Sequence, residues 1–305
     1  MKNQIKYNLL AVVASLVWAS AFPAAKVGFE YLPPIFLSGV RFMFAGIILA
    51  PFLIGRKVEW SVFKDQWQYL LFFAFFQTFL QYWLFYAGLI IVPAAVGAII
   101  VGLGPIFVTI LAHFFLGQRD RLSMRKVFAM VFGFAGVIFI SVSTSEMTTV
   151  KPFFYWGVIA LVLSCLVGCI TNIIIARRPI QLDHIALNSV SCFVGGVMLL
   201  VTALFTEQQE IALIKPLPPA FYVAMIWLSG IPALGFSIWY FLLSRPNISV
   251  SEINIIKFLI PVFGVILSWL IVKGESFNIQ TVIGTVIIAA AIIIIQLPTK
   301  NKVTK

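Results

Sequence analysis

The chain has 305 residues, of which 62% are hydrophobic and 10% charged, with a mean hydropathy of +1.07 and a formal net charge of +11. A soluble domain carries about a quarter charged residues, and the shortfall here runs the whole length, which excludes an ordinary soluble protein. The apolar runs are continuous, so a lipid-embedded β-barrel with its alternating pattern is excluded too, leaving an all-α polytopic membrane protein.

Ten transmembrane helices are predicted, at 7–27, 33–54, 67–91, 94–116, 122–142, 154–176, 183–205, 219–243, 249–272 and 277–297. Each run approaches the roughly 20 residues needed to cross a hydrocarbon core of about 30 Å. In span one, Ser15, Trp18 and Phe22 share a face, and Pro23 lacks the N–H that would bond the carbonyl of Ala19. Lys2, Lys6, the apolar run and Ala19-Ser20-Ala21 also fit a cleaved signal peptide, a reading that the internal repeat below opposes. Span two carries Arg41 about 10 Å below the outer surface, read as a structural or gating cation. Lys26, at the outer end of span one, reads as an interfacial anchor.

Span three reads FFAFFQTFLQYWLFYAG, with Gln77 and Gln81 one turn apart. The rings suit a lipid-facing belt. The two glutamines suit either a cavity or interhelical hydrogen bonds worth about 1 kcal/mol. Span four contributes Pro105 and a lone His113, more often structural than a proton carrier. Ala98/Gly102 and Ala129/Gly133 read as close helix contacts. In span six, Cys165 and Cys169 share a face with no acid or histidine near them in sequence. They read as packing and not as a metal site. Gly168, Thr171 and Asn172 occupy the region matching Trp18 of span one. Span eight holds Pro232, Trp239 and Tyr240, which suit the wall of a cavity for a partly apolar solute and equally suit packing.

Span nine is the most informative. Asn254, Lys257, Pro261, Gly264 and Ser268 form one polar or small stripe amid apolar residues. Such a stripe faces protein or water, because lipid offers polar atoms no partner. Pro261 has no N–H for the carbonyl of Lys257, so one turn is expected to present a cation and a free acceptor together. Lys257 lies about 12 Å into the membrane, near its midplane. A lysine there costs about 3 kcal/mol and marks a functional candidate, the plainer alternative being a side chain that snorkels to the surface. Glu252 lies on a different face from Lys257.

With the N-terminus inside, fifteen of the 21 Lys and Arg residues fall in cytoplasmic segments and four in outer loops. Both termini are therefore expected in the cytoplasm of a multi-pass protein of the inner (cytoplasmic) membrane. The basic residues are spread over separate ends and form no single patch, which argues against nucleic acid as a partner.

The two halves align. LPPIFLSGVRFMFAG (32–46) lies over LDHIALNSVSCFVGG (182–196), and 92–116 lies over 248–272 with Pro105 on Pro261 and Val101 on Lys257. Five spans per half force opposite orientations, so the chain is expected to be two inverted five-helix repeats, 1–150 and 151–305, with a site at their interface near the midplane.

WASAFPAAKVG (18–28), Arg41, residues 93–117, residues 250–275 and IGTVIIAAAIII (283–294) together resemble the EamA family of the drug/metabolite transporter superfamily, over essentially the whole chain. The family's Leu-Gly-Glu after span four reads Leu116-Gly117-Gln118 here, whereas Gly274-Glu275 is kept in the second half. The resemblance implies a transporter of small metabolites, often exporting amino acids, with a cavity lined by spans one, three, four, six, eight and nine.

The expected function is thus secondary transport by alternating access, with efflux of an amino acid or related carboxylate. Substrate contacts are expected from Lys257, Asn254, Trp18, Gln77, Gln81, Asn172, Trp239 and Tyr240. Gating or structural roles fall to Arg41, Pro23, Pro105, Pro232 and Pro261. The alternatives are a broader drug or nucleotide-type transporter of the same fold and, distantly, an intramembrane enzyme. An enzyme would need clustered nucleophiles, metal ligands or paired carboxylates, and all ten acidic residues lie at span ends or in loops. No cofactor or metal is expected; the partners are a small metabolite, the bilayer and, as an open expectation, a second copy in a homodimer.

Overall fold

The computed structural model describes residues 2–21, 24, 28–54, 64–92, 97, 100–143, 153–177, 183–214, 216–271 and 279–296. Pro23, Lys26, Ala98 and Glu275 lie outside the described residues. Among those described, the secondary structure is helical, with no strand. In chain order the helices are α1 (Lys2–Ala19), α2 (Pro34–Leu49), α3 (Trp67–Phe73), α4 (Gln81–Leu89), α5 (Gly104–Leu116), α6 (Met124–Ser143), α7 (Phe154–Arg177), α8 (His184–Thr206), the short α9 (Gln208–Ala212), α10 (Pro219–Leu243), α11 (Val250–Ile255), α12 (Leu259–Ile271) and α13 (Ile279–Gln296). A π-helical segment, Ala74–Leu80, joins α3 to α4, and a 3₁₀ turn, Ile256–Phe258, joins α11 to α12.

Among the described residues, five helical stretches are long and apolar enough to cross a membrane: Pro34–Leu53, Trp67–Leu89, Phe154–Arg177, His184–Thr206 and Phe221–Leu243. Gln4–Ala19, Ile100–Leu116 and Val282–Ile295 are shorter apolar helices. A helix is the natural form for such runs, because every backbone polar group in hydrocarbon must be satisfied within its own segment. The ends follow local chemistry. Pro34, Pro105 and Pro219 each sit in a first turn, where a missing N–H costs nothing. The Asp183 carboxylate accepts from the Ile185 N–H at 2.9 Å and caps α8. Gly117, at φ 56°, ends α5 in a conformation that glycine alone adopts freely.

Packing runs through a few pairs. α2 lies along α8, α6 along α13, α4 and α5 along α7, α10 along α1 and α2, α12 along α1, and α11 along α5. Small residues allow the closest of these approaches. A Cβ at Gly46 would meet the Ser189 carbonyl oxygen at 2.6 Å, and one at Gly196 would collide with the Met43 backbone. Gly102 abuts Val137, and the Phe258 ring lies directly over Gly133. The main buried cluster gathers residues of α1, α2, α4, α7, α8, α10 and α11, and the rings described next lie within it.

Candidate functional site

Lys257 occupies the 3₁₀ turn between α11 and α12. Its Nζ lies 3.9 Å from the ring centroid of Trp239 on α10 and 5.1 Å from that of Trp18 on α1. The two indoles meet edge-on at 5.2 Å. Three elements far apart in sequence thus hold one ammonium against two aromatic faces, an attraction worth about 2 kcal/mol when desolvated. The thiols of Cys165 and Cys169 on α7 are electrostatic neighbours of the same ammonium. Trp18 is seated by Gly235 of α10, where a Cβ would stand 2.6 Å from its Nε1.

From Trp18 the rings continue. Phe236 meets it edge-on at 5.8 Å, and Tyr240 stacks on Phe236 at 5.7 Å. On the other side Phe236 reaches Tyr82 at 6.4 Å and Phe42 at 6.5 Å. Arg41 closes this column, its guanidinium carbon 4.7, 5.4 and 5.9 Å from the ring centroids of Phe42, Tyr82 and Tyr86. The two intramembrane cations named from sequence therefore lie at opposite ends of one aromatic cluster. Trp239 and Tyr240 are each 1% exposed, so the rings close the site in this conformation. The Trp239 indole N–H, the Tyr240 hydroxyl and the Arg41 Nε are buried without a hydrogen-bond partner.

The remaining sequence candidates are placed differently. The Asn254 amide is buried and donates to the Val250 carbonyl of its own helix at 2.8 Å. Gln77 donates to Gln81 at 2.8 Å, and Thr171 of α7 donates to the Gln77 amide oxygen. Ser164 of α7 donates to the Gln81 carbonyl at 2.7 Å. The glutamines thus stitch α4 and the π segment to α7, where Asn172 is also buried. The widened backbone turn at 74–80 falls on this same seam.

The prolines act as breaks in different ways. Ahead of Pro261 the helix tightens into the 3₁₀ turn, in which the Leu259 N–H points back at the Ile256 carbonyl. At Pro105 the chain restarts a helix, after a turn at Leu103. Pro232 lies inside the unbroken α10. Asn188 of α8 donates to the carbonyls of Pro232 and Ala233 at 3.1 and 2.9 Å, which ties α8 to α10 beside the proline. An open, apolar groove of about 390 Å³ lies elsewhere, on the α3 face along Trp67, Leu71, Phe75 and Met198, and suits lipid chains better than a polar solute.

Two buried carboxylates not singled out from sequence hold helix N-termini across the molecule. Asp120, following α5, accepts from the Ser249 hydroxyl at 2.8 Å and the Ser251 N–H at 2.9 Å, and pairs with Lys126. Burial opposes its charge, but Lys126 and the hydrogen bonds from Lys126 and Ser251 outweigh that and hold the carboxyl below its ordinary value. Arg125 pairs with Glu252 beside it at 2.6 Å. Glu207, following α8, accepts from the Ile35 and Phe36 N–H groups of α2 at 2.9 and 2.8 Å. Burial lifts its carboxyl above the ordinary value, and those two donors offset the lift only in part. The signal for Asp120 was present in the run Leu116-Gly117-Gln118-Arg119-Asp120, where an acid follows two residues after the position at which Gln118 replaces the expected one. His113 accepts from the Leu122 N–H at 3.2 Å, a structural role.

Comparison with known proteins agrees with this architecture. A family model described as the EamA-like transporter family matches residues 5–142 and 155–297. The chain is 24% identical to Uncharacterized transporter YoaV of Bacillus subtilis (strain 168), over 94% of this chain and 96% of that one. It is 24% identical to Uncharacterized transporter YvbV of the same organism, over 100% and 96%. It is 25% identical to Protein PagO of Salmonella typhimurium over 69% and 68%. A solved crystal structure shares the fold at a TM-score of 0.78 and 16% identity, covering 96% of each chain. The chain belongs to the EamA-like transporter family and is a multi-pass membrane protein.

Proposed function

We propose that this member of the EamA-like transporter family is a secondary transporter that moves a small carboxylate-bearing metabolite, an amino acid or a related acid, out of the cell by alternating access. The observation that carries the reading is Lys257, an ammonium held over Trp239 at 3.9 Å with no carboxylate paired to it among the described residues. Its charge is available to a solute carboxylate, and the indoles supply apolar walls for the rest of that solute.

The proposed scaffold is ten spans in two inverted five-span repeats, 1–150 and 151–305, in the cytoplasmic membrane with both termini inside. What supports it is the pairing of helices. Exchanging each helix for its counterpart five spans on turns the α4–α7 pair into α10–α1, and the α5–α7 pair into α12–α1. The α2–α8 and α6–α13 pairs map onto themselves. The family match in two stretches, 5–142 and 155–297, points the same way. In such a scaffold the ring column draws on both halves, so a rocking motion between them would open it to either side.

The test is counterflow of labelled amino acids and other carboxylates into liposomes holding the purified full chain, wild type against Lys257→Ala. Transport is expected for at least one carboxylated solute, and its near-complete loss in the variant. Undiminished transport in Lys257→Ala would remove Lys257 from the site. No movement of any carboxylated solute by the wild type would remove the function itself.

A further inference from the structure

We infer that the solute is a dianion, with two acidic groups set apart on an apolar frame, and that Arg41 binds the second of them. This rests on the transporter reading above and narrows it from a carboxylate in general to a pair of negative charges.

Three observations converge on it. First, Arg41 is 6% exposed, sits against three rings and has a buried Nε without a hydrogen-bond partner. Second, no carboxylate pairs with either Arg41 or Lys257 among the described residues. The buried acids Asp120 and Glu207 are committed to helix N-termini, and Glu252 to Arg125. Aromatic faces attract a cation but carry no charge, so the column has two positive charges and no counter-ion. Each such cation costs about 3 kcal/mol at a helix centre on insertion scales.

Third, the charged groups of the column are donors only. The Arg and Lys side chains and the indole N–H donate and cannot accept, while the hydroxyls of Tyr82, Tyr86 and Tyr240 can accept but bring no negative charge. A zwitterionic amino acid would bring an ammonium that needs acceptors and that a second cation repels. A dianion brings acceptors at both ends and neutralises both charges. The rings between Trp18 and Phe42 would then flank its apolar middle.

The experiment uses three probes of one shape class with the full chain in liposomes: 1,4-phenylenediacetate with two carboxylates across a ring, phenylacetate with one, and L-phenylalanine as the zwitterion. 1,4-Phenylenediacetate is expected to enter faster than either other probe by about tenfold or more, the factor one good charged contact supplies. Arg41→Gln should bring 1,4-phenylenediacetate down to the rate of phenylacetate, whose own rate stays within about twofold, and Arg41→Lys should keep part of the preference. Should Arg41→Gln not fold, the wild type alone decides, because 1,4-phenylenediacetate must raise its thermal midpoint in detergent above the rise given by phenylacetate. Faster entry of phenylalanine would overturn the dianion and leave the carboxylate transporter standing. A preference that survives Arg41→Gln would overturn the role of Arg41. If no probe or other carboxylate moves, the underlying function falls, and this inference with it.

Discussion

The helix break at Pro105 and the one at Pro261 align in sequence, yet only the second sets a cation against aromatic rings. At Pro105 the chain turns at Leu103 and starts α5 afresh, and the Cys169 thiol donates to the Gly104 carbonyl at 3.5 Å. Val101, aligned with Lys257, is 40% exposed, whereas Lys257 lies over two rings. At Pro261 the helix continues through a 3₁₀ turn, and that turn aims Lys257 between two indoles. The lesson is that the two breaks are alike in sequence position while the charge belongs to one of them. In the proposed inverted-repeat frame, such a charge would hold a solute in one orientation.

The sharpest way to break this comparison is to move the charge. The double variant Lys257→Val with Val101→Lys keeps composition and both prolines but places the cation at the exposed position. Transport in liposomes should fall about a hundredfold, as expected when a buried charged contact is lost, while the thermal midpoint in detergent stays close to wild type. Recovery of transport in the double variant would make the two breaks interchangeable.

A smaller effect should follow from disturbing the indole seat without touching the charge. Gly235→Ala would push a Cβ to 2.6 Å from Trp18 Nε1, so the ring must leave its place over Lys257. About tenfold slower transport is expected, which a misplaced binding wall can account for. Gly230→Ala, on the same helix with nothing within 4 Å of the added Cβ, is the control and should transport as wild type.

The inter-half clamp at Asp120 bears on stability. Removing one partner of a buried pair leaves the other uncompensated, so Asp120→Asn should cost about 3 kcal/mol in thermal or denaturant unfolding. The sign of the pH dependence is fixed. A folded value below the ordinary 3.8 means the contribution is complete above that value and lost as pH falls through the lower folded one. Wild type should therefore lose stability below about pH 4 on a limb that Asp120→Asn lacks. The smallest effect belongs to Asn188→Ala, which withdraws the donor from the Pro232 and Ala233 carbonyls. About 1 kcal/mol is expected, with transport largely kept.

Much of this frame was legible in the sequence, because hydrocarbon leaves few choices to a backbone and apolar runs mark helices directly. Lys257 and Arg41 also stood out, as a charge in a span is costly enough to ask for a reason, while Trp18 and Trp239 suited a cavity wall and packing equally. The meeting of those four was not legible. It depends on α1, α10 and α12 approaching one another, and in a chain that is 15% aromatic nothing local selects Phe236 or Tyr82. Gln77 and Gln81 looked equally suited to a cavity or a seam, because an amide serves both, and only the position of Thr171 and Ser164 ties them to α7. Asp120 left a trace, an acid two residues after Gln118 and six before Lys126, but its reach to Ser249 and Ser251 was not legible. Glu207 was hidden for another reason: its partners are the Ile35 and Phe36 backbone N–H groups, which every residue but proline carries, so no side-chain pattern announces it.

Those two carboxylates also order events in time as the chain is made. Asp120 precedes the Ser251 N–H it will hold by 131 residues, on the order of ten seconds of synthesis, and has Lys126 only six residues away meanwhile. For Glu207 the sequence of arrival is reversed, since the N-terminus of α2 is made 171 residues before the carboxylate that caps it at Phe36. One clamp is a carboxylate waiting for a helix, and the other a helix waiting for a carboxylate. The ribosome must therefore reach residue 207 before the end of α2 is fastened, and residue 251 before Asp120 is.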